Sequence, residues 1–493
     1  MYRRPLANEP TPPISSASAA PDPQLAASIL QAVASRAQAS NATNTATQTL
    51  TAPIHAITNP PSFHSFLKKH RAAVAFFTSA NCGPCRMIEP TFERLSEEKG
   101  VKADGTGAGF AKIDIGVGQG NSLASEWGIR ATPTFIFFLD GEKLDEMKGA
   151  NASELRSQVD LLLFQAFPPH PHTSLSLPAV QALSLNPIIF SQVPVIDTVL
   201  TKLSSFIDDA TWPSMPATQA QVKRTLTGTV APYLRARFSA TPSTQLPSAT
   251  PAILNPWSEA TSALASALPI TSLFPLVDLW RLALLDPSVG TWASSSPTSG
   301  PIQLFIEKAS TALKTVDPAS NPRNYLLTVL RLLSNAFSTP ALAHTLFLTS
   351  RATLAEVIVP SLLHADGAVR TAAASLTFNV AAYLQKGRVE KVKGGASAVQ
   401  EDEDWEVEMV SAVVEALDRE ITSEEVVHRL AASLALLLRL SPAYQTQMSP
   451  LLEVLQAQAV LKRKLAKGGC GEDGVVKKDI RKLVEEVANK LCP

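Results

Sequence analysis

The chain has 493 residues, 45% of them apolar, and its 43 Lys+Arg exactly offset its 43 Asp+Glu. That length calls for more than one core, and the charge balance argues against nucleic acid as a partner. No apolar run reaches the length of a membrane span, so no membrane partner is expected.

Met1-Tyr2-Arg3-Arg4-Pro5 runs into Pro, Ser and Ala rather than the apolar stretch of a secretory signal. Four cysteines, two of them in one C-x-x-C, point to a reducing compartment, the cytosol, the nucleus or both. Residues 1–50 are rich in Pro, Ala, Ser, Thr, Asn and Gln and read as a disordered linker, with one short amphipathic helix over about Leu25 to Ala37.

From residue 51 to 166 short apolar runs alternate with helical periods. Strands are predicted at Ile54 to Ile57, Ala73 to Phe77, Phe110 to Ile115, Thr134 to Leu139 and Lys143 to Lys148. Helices fall at Phe63 to His70, Pro84 to Glu98, Leu123 to Trp127 and Ser153 to Phe164. The result is an α/β sheet, closed by a hairpin at Asp140-Gly141.

Pro168-Pro169-His170-Pro171-His172 breaks this pattern, and residues 167–186 read as a second linker. Residues 187–493 read as helix throughout. Amphipathic periods occupy Leu273 to Leu285, Tyr325 to Phe337, Leu342 to Leu362, Val369 to Leu384, Val407 to Leu417, Val426 to Leu440 and Ile480 to Leu491. Paired in units of about 40 residues, they predict an all-α, armadillo-like solenoid. Loops are expected at Ser239 to Pro256 and at the acidic Gln400 to Glu406, and the basic runs Lys462-Arg463-Lys464, Lys477-Lys478 and Arg481-Lys482 read as solvated faces.

Chemistry concentrates in Asn81-Cys82-Gly83-Pro84-Cys85. Cys82 just precedes a helix whose first N–H groups and dipole favour a thiolate, and Cys85, one turn in, lies close enough to resolve a mixed disulfide. A zinc half-site would need a second Cys/His pair nearby, which is missing, so no metal is expected and no cofactor either.

With Arg130-Ala131-Thr132-Pro133-Thr134-Phe135, this dithiol closely resembles the thioredoxin family over residues 51–166. The resemblance implies a cis bond before Pro133, a Thr132 backbone that pairs with substrate, and substrate contacts from Gly83 and Pro84. Pro90 in the active-site helix, Asp114 at a strand end and the turn glycines Gly141 and Gly149 agree with it. Two positions depart from it. Asn81 stands where the family has Trp, and Phe76 stands where it buries an Asp that moves the second thiol's proton. A dithiol that reacts but turns over slowly is expected.

The second half resembles the PUL domain of ubiquitin-handling adaptors, and the whole resembles fungal thioredoxin/PUL domain-containing proteins. The matching stretches are Ile189-Phe190 with the helix to Leu203, then Leu273 to Leu282, Leu326 to Phe337, Leu376 to Val380 and His428 to Leu434. Some fungal relatives carry a PPPDE-type cysteine peptidase ahead of the thioredoxin domain; residues 1–50 hold no Cys or His, so that activity is not expected.

The PUL resemblance implies a basic groove for the C-terminal tail of a hexameric AAA unfoldase, valosin-containing protein, with Arg331 and Arg429 as groove cations. Each Arg could instead pair with an acidic neighbour, as Glu424 and Glu425 offer for Arg429. Asn335 and Asn379 are expected to bridge helices. The leading reading is a thiol–disulfide oxidoreductase acting on disulfide or thiol clients and tethered to an unfoldase-binding module. The alternative is a non-catalytic adaptor whose thioredoxin domain only binds clients.

Overall fold

In the computed structural model, which describes residues 53–102, 105–212, 217–238, 246–295, 299–315, 322–393 and 399–493, two compact units part between Ala166 and Phe167. The expected N-terminal linker and its helix over Leu25 to Ala37 lie outside the described residues.

The first unit is built on strands β1 (Ile54–Ala56), β2 (Ala72–Thr78), β3 (Ala108–Asp114), β4 (Thr134–Leu139) and β5 (Glu142–Lys148), ordered β1-β3-β2-β4-β5. β3 runs parallel to β1 and β2, while β4 is antiparallel to β2 and β5. Every residue of β2 is buried, as suits a central strand covered on both faces. Its period of two sends Ala73, Ala75 and Phe77 to one core with Phe63, Leu67 and Phe138. Phe76 faces the other way, stacked 4.6 Å from Phe135 and tilted 5.1 Å from Phe92.

Four helices complete the layers: α1 (Pro60–Lys69), α2 (Gly83–Lys99), α3 (Gly120–Glu126) and α4 (Ala152–Ala166). The Asp140-Gly141 turn has φ of 51° and 86°, the left-handed pair that matches the twist of a two-residue hairpin.

The second unit is built of helices, with no strand among its described residues. Its inner row is α5 (Phe274–Ala283), α6 (Arg323–Ala336), α7 (Gly367–Val392), α8 (Glu424–Leu438) and α9 (Lys478–Lys490), each packed on the next. An outer row, Pro251–Ala267, Pro301–Lys314, Arg351–Leu362, Glu403–Arg419 and Ala457–Leu465, packs in the same order. The repeat is therefore longer than the 40 residues expected, partly because short helices Pro287–Ser294 and Pro340–Thr349 intervene. The single period expected over Leu342 to Leu362 is two helices broken at Ser350.

Proline misled the loop reading. The expected loop to Pro256 gives way to a helix at Pro251, since proline at a first helical turn lacks only an N–H that would be unbonded anyway.

Residues 167–186 are not a linker but part of this unit. His172 is buried and its Nδ1 accepts the Leu440 N–H at 3.1 Å, while His170 Nε2 lies 2.9 Å from the Ser441 carbonyl. Leu177 and Val180 are buried, and the Glu486 carboxylate accepts the N–H groups of Ala179 and Val180 at 3.2 and 2.8 Å. Pro171 and Pro178 open the short helical turns Pro171–Thr173 and Pro178–Gln181, where a missing N–H goes unnoticed.

Nor is the acidic run a free loop. Asp402 caps the helix Glu403–Arg419 by accepting the Trp405 N–H at 3.1 Å, and Glu401 and Glu406 grip Arg388. In the basic runs, Lys464 is buried rather than solvated, its Nζ donating to the Asp418 and Glu420 carbonyls at 2.9 and 3.1 Å. Burial lowers the Lys464 pKa from the usual lysine value, and the main-chain oxygens replace part of the lost hydration.

His172 makes the second unit acid-sensitive. Burial first, then the nearby charges His170, Arg439 and Arg388, lower its pKa from 6.5 to about 4. The unfolded chain therefore binds the extra proton first, and stability drops as pH falls from 6.5 towards 4. His172→Asn keeps an acceptor for Leu440 and cannot titrate. Its thermal midpoint should hold better over that window than the unsubstituted chain's, whereas parallel profiles would contradict the assignment.

Candidate functional site

β2 ends at Thr78, and a turn brings Cys82 to the N-cap of α2, with its N–H on the Ser79 carbonyl at 3.0 Å. Cys82 Sγ accepts the Cys85 N–H at 3.1 Å, an orphan donor at the helix start pointed at the sulfur. Cys82 is partly exposed, Cys85 is 1% exposed, and the two form a disulfide. Gly83 and Pro84 are exposed beside them.

Across the gap from α2, the Thr132–Pro133 peptide is cis, and the Thr132 carbonyl oxygen lies 3.4 Å from Cys82 Sγ. Thr134 Oγ1 donates to the Ala131 carbonyl at 2.8 Å and the Gly149 N–H to the Pro133 carbonyl at 2.9 Å, which ties this loop to β5. The arrangement offers one accessible sulfur backed by amide dipoles, one shielded sulfur in reach of it, and a backbone edge alongside.

The second candidate lies on the inner row of helices. Arg331 on α6 has no ion-pair partner among the described residues; its Nε is buried without a hydrogen bond and its guanidinium sits 5.4 Å over the Phe190 ring. Burial, then Arg281, pull its pKa below the usual arginine value. Arg429 on α8 is instead engaged: it donates to the Thr371 carbonyl at 3.2 Å and Ser375 Oγ at 2.8 Å, and pairs with Glu425. The neighbour-pairing alternative thus describes Arg429.

Asn335 and Asn379 bridge helices as expected, donating to the Arg281 carbonyl at 3.0 Å and the Ser334 carbonyl at 3.1 Å. They also hold the extended segment around Phe190, which the sequence did not suggest.

Comparison with known families follows this division. The PUL domain model matches residues 184–489 and the thioredoxin model residues 54–160. The chain belongs to the PUL domain family and carries a thioredoxin domain. A thioredoxin of Malassezia sympodialis is 36% identical over 106 residues, which span 22% of this chain and 95% of that one. A thioredoxin of Coprinus comatus is also 36% identical over 106 residues, 22% of this chain and 94% of that one. A peptide-N(4)-(N-acetyl-beta-glucosaminyl)asparagine amidase of Caenorhabditis briggsae is 34% identical over 110 residues, 22% of this chain but 17% of that one.

In the thioredoxin domain, Phe76 is fully buried and stacked on Phe135, an aromatic side chain where the resemblance leads one to expect a carboxylate. Glu89 was not singled out from the sequence. It lies four residues after Cys85, on the same side of α2, and pairs with Lys112, the β3 residue registered opposite Phe76. The i, i+4 spacing from Cys85 was the available signal.

Proposed function

We propose that the thioredoxin domain exchanges thiols and disulfides with client proteins, and that the PUL domain docks the C-terminal tail of a valosin-containing-protein-type AAA unfoldase in ubiquitin-linked protein turnover, in the cytosol or nucleus. The observation that carries the redox reading is Cys82 Sγ at the N-cap of α2, facing the Cys85 N–H with the Thr132 carbonyl beside it.

In the reduced domain the Cys82 thiolate attacks one sulfur of a client disulfide; the S–S bond breaks and the departing client thiolate takes a proton from water. Cys85, deprotonated in turn, attacks Cys82 Sγ. The second client thiolate leaves and takes a proton from water; the client has gained two electrons, which the Cys82/Cys85 dithiol lost in becoming a disulfide. A dithiol reductant must then reset the pair. Gly83, Pro84, Thr132 and Pro133 form the surface on which a client strand lies, with Thr132 supplying main-chain hydrogen bonds.

Full-length chain carrying Cys85→Ser, used as bait in native extract without reductant, should retain clients as mixed disulfides on Cys82. Proteins released by dithiothreitol, and missing when Cys82 is also replaced, are the expected result. An empty reductant fraction beside an unfoldase-rich denaturant fraction favours the adaptor reading, which the fully packed Phe76 and the exposed Asn81 support.

The docking half of the proposal rests on Arg331, a half-buried cation of the inner row with no ion-pair partner among the described residues. Arg331→Glu should weaken binding of an acidic, aromatic-containing unfoldase tail peptide by about tenfold or more, worth ~1.4 kcal/mol, with the thermal midpoint retained. Unchanged affinity removes this docking claim.

A further inference from the structure

The segment Pro187 to Gln192 crosses the inner row as an extended chain read through its backbone. The Ile188 N–H donates to Asn379 Oδ1 at 2.7 Å, and Asn379 Nδ2 donates back to the Ile188 carbonyl at 2.9 Å. Two residues on, the Phe190 N–H donates to Asn335 Oδ1 at 2.7 Å, and Asn335 Nδ2 returns to the Phe190 carbonyl at 3.1 Å. The Arg281 guanidinium, fixed by Asp278 at 2.6 Å, donates to the carbonyls of Phe190 at 2.6 Å and Gln192 at 3.0 Å. Each Asn amide also donates to the helix before it, which sets its orientation.

These contacts are made to main chain, while the half-buried Ile188 and Phe190 side chains pack against the helical core. From Gln181 to Val195 no residue is fully buried, and Ile189 is 45% exposed. The segment is anchored independently at both ends, upstream through His172, Leu177 and Val180 and downstream by the helix Ile196–Asp208, which packs on α5. It can therefore leave without unfolding either anchor, as weakly buried segments do. With the segment in place Arg281, Asn335 and Asn379 are 4%, 0% and 2% exposed; its departure opens them to water and costs each its main-chain partners there. Exchange for another extended chain satisfies the same groups.

We infer that Arg281, Asn335 and Asn379 form a binding site for extended polypeptide, filled in cis by residues 187–192 and open in trans to an unstructured, uncharged peptide with an aliphatic-x-aromatic triplet. The spacing follows from the ladder, which reads residues i and i+2, and the aromatic residue takes the place of Phe190 on Arg331. The inference does not depend on the unfoldase reading, since the ladder recognises backbone rather than charge.

The test uses full-length chain and a fluorescein-labelled synthetic peptide with the sequence of residues 184–194, which carries no charged side chain. Ile188→Pro with Phe190→Pro removes both N–H donors of the cis segment. That variant should bind the peptide at least about tenfold more tightly than the unsubstituted chain, and adding Asn335→Ala with Asn379→Ala should abolish binding. Equal binding by the unsubstituted and proline chains, or binding that survives loss of both asparagines, overturns the inference.

Hydrogen exchange on the unsubstituted chain guards against misfolded variants. The Ile188 and Phe190 amides should be protected, yet exchange faster than those of α6 and α7, and faster still when peptide is added. Exchange only through global unfolding would make the segment a fixed part of the fold and overturn the inference. A failed Arg331→Glu experiment bears on tail docking alone, because neither the probe nor these readouts involve an acidic ligand.

Discussion

Cys82→Ser should reduce insulin-disulfide reduction by the full-length chain to the uncatalysed background, a loss of about 100-fold or more. The reason is geometric. Of the two sulfurs, only Cys82 is open to a client, and only its Sγ receives the amide dipole of the helix start, through the Cys85 N–H at 3.1 Å. A serine oxygen in that place accepts the same hydrogen bond but has no usable anion near neutral pH. Cys85, 1% exposed, cannot reach an external disulfide by itself. Retained activity in Cys82→Ser would place the chemistry elsewhere; the buried free thiols Cys470 and Cys492 are poor substitutes, burial pushing the latter's pKa up to about 12. If the unsubstituted chain is itself inert while the disulfide forms and is reduced by dithiothreitol, the adaptor reading gains.

The largest expected stability effect lies far from the thiols. Arg388→Met should destabilise the PUL domain by about 3–5 kcal/mol, the usual consequence of stranding a buried partner. Arg388 and Glu406 are each 2% exposed in their side chains. The Arg388 guanidinium also holds Glu401 at 2.9 Å and the Leu437 carbonyl at 2.6 Å, so it joins α7 to the acidic run, the helix Glu403–Arg419 and the end of α8. Burial already pushes Glu406 up to about 7 despite the pull of Arg388. Removing the cation leaves two carboxyls facing each other in a dry site.

Urea unfolding followed on the PUL transition measures the loss. The triple variant Arg388→Met, Glu401→Gln, Glu406→Gln should recover much of it, because no unpaired charge remains. A loss below about 1 kcal/mol for Arg388→Met would mean that water reaches the cluster. The raised Glu406 pKa has a linkage consequence of its own. The folded state holds the proton more tightly between pH 4.5 and about 7, so this group's contribution to stability falls as pH rises, opposite in sign to that of His172. The pH profile of the unsubstituted chain alone therefore conflates the two, and the comparison with His172→Asn separates them.

What the sequence by itself determined is what short-range chemistry dictates. Cys82-Gly83-Pro84-Cys85 at a strand-to-helix junction, Asp140-Gly141 as a two-residue hairpin turn and the 3.6-residue periods after residue 270 each specify a local conformation whatever surrounds them. The thioredoxin order of strands and the helical second half were legible for that reason.

Partner choice over long separations was not. Arg331 and Arg429 look alike in sequence, each a cation in an apolar helix, yet Arg429 meets Glu425, Ser375 and Thr371 while Arg331 meets an aromatic ring and no carboxylate among the described residues. The Pro-His-Pro-His stretch reads as a breaker until its imidazoles find the backbone at Leu440 and Ser441. Residues 187–192 have no periodicity to report, because their place is fixed by side chains of Arg281, Asn335 and Asn379, up to 191 positions away, acting on their backbone. Only the tertiary structure decides such contacts, since buried polar groups must be satisfied by whatever the fold brings within hydrogen-bond distance.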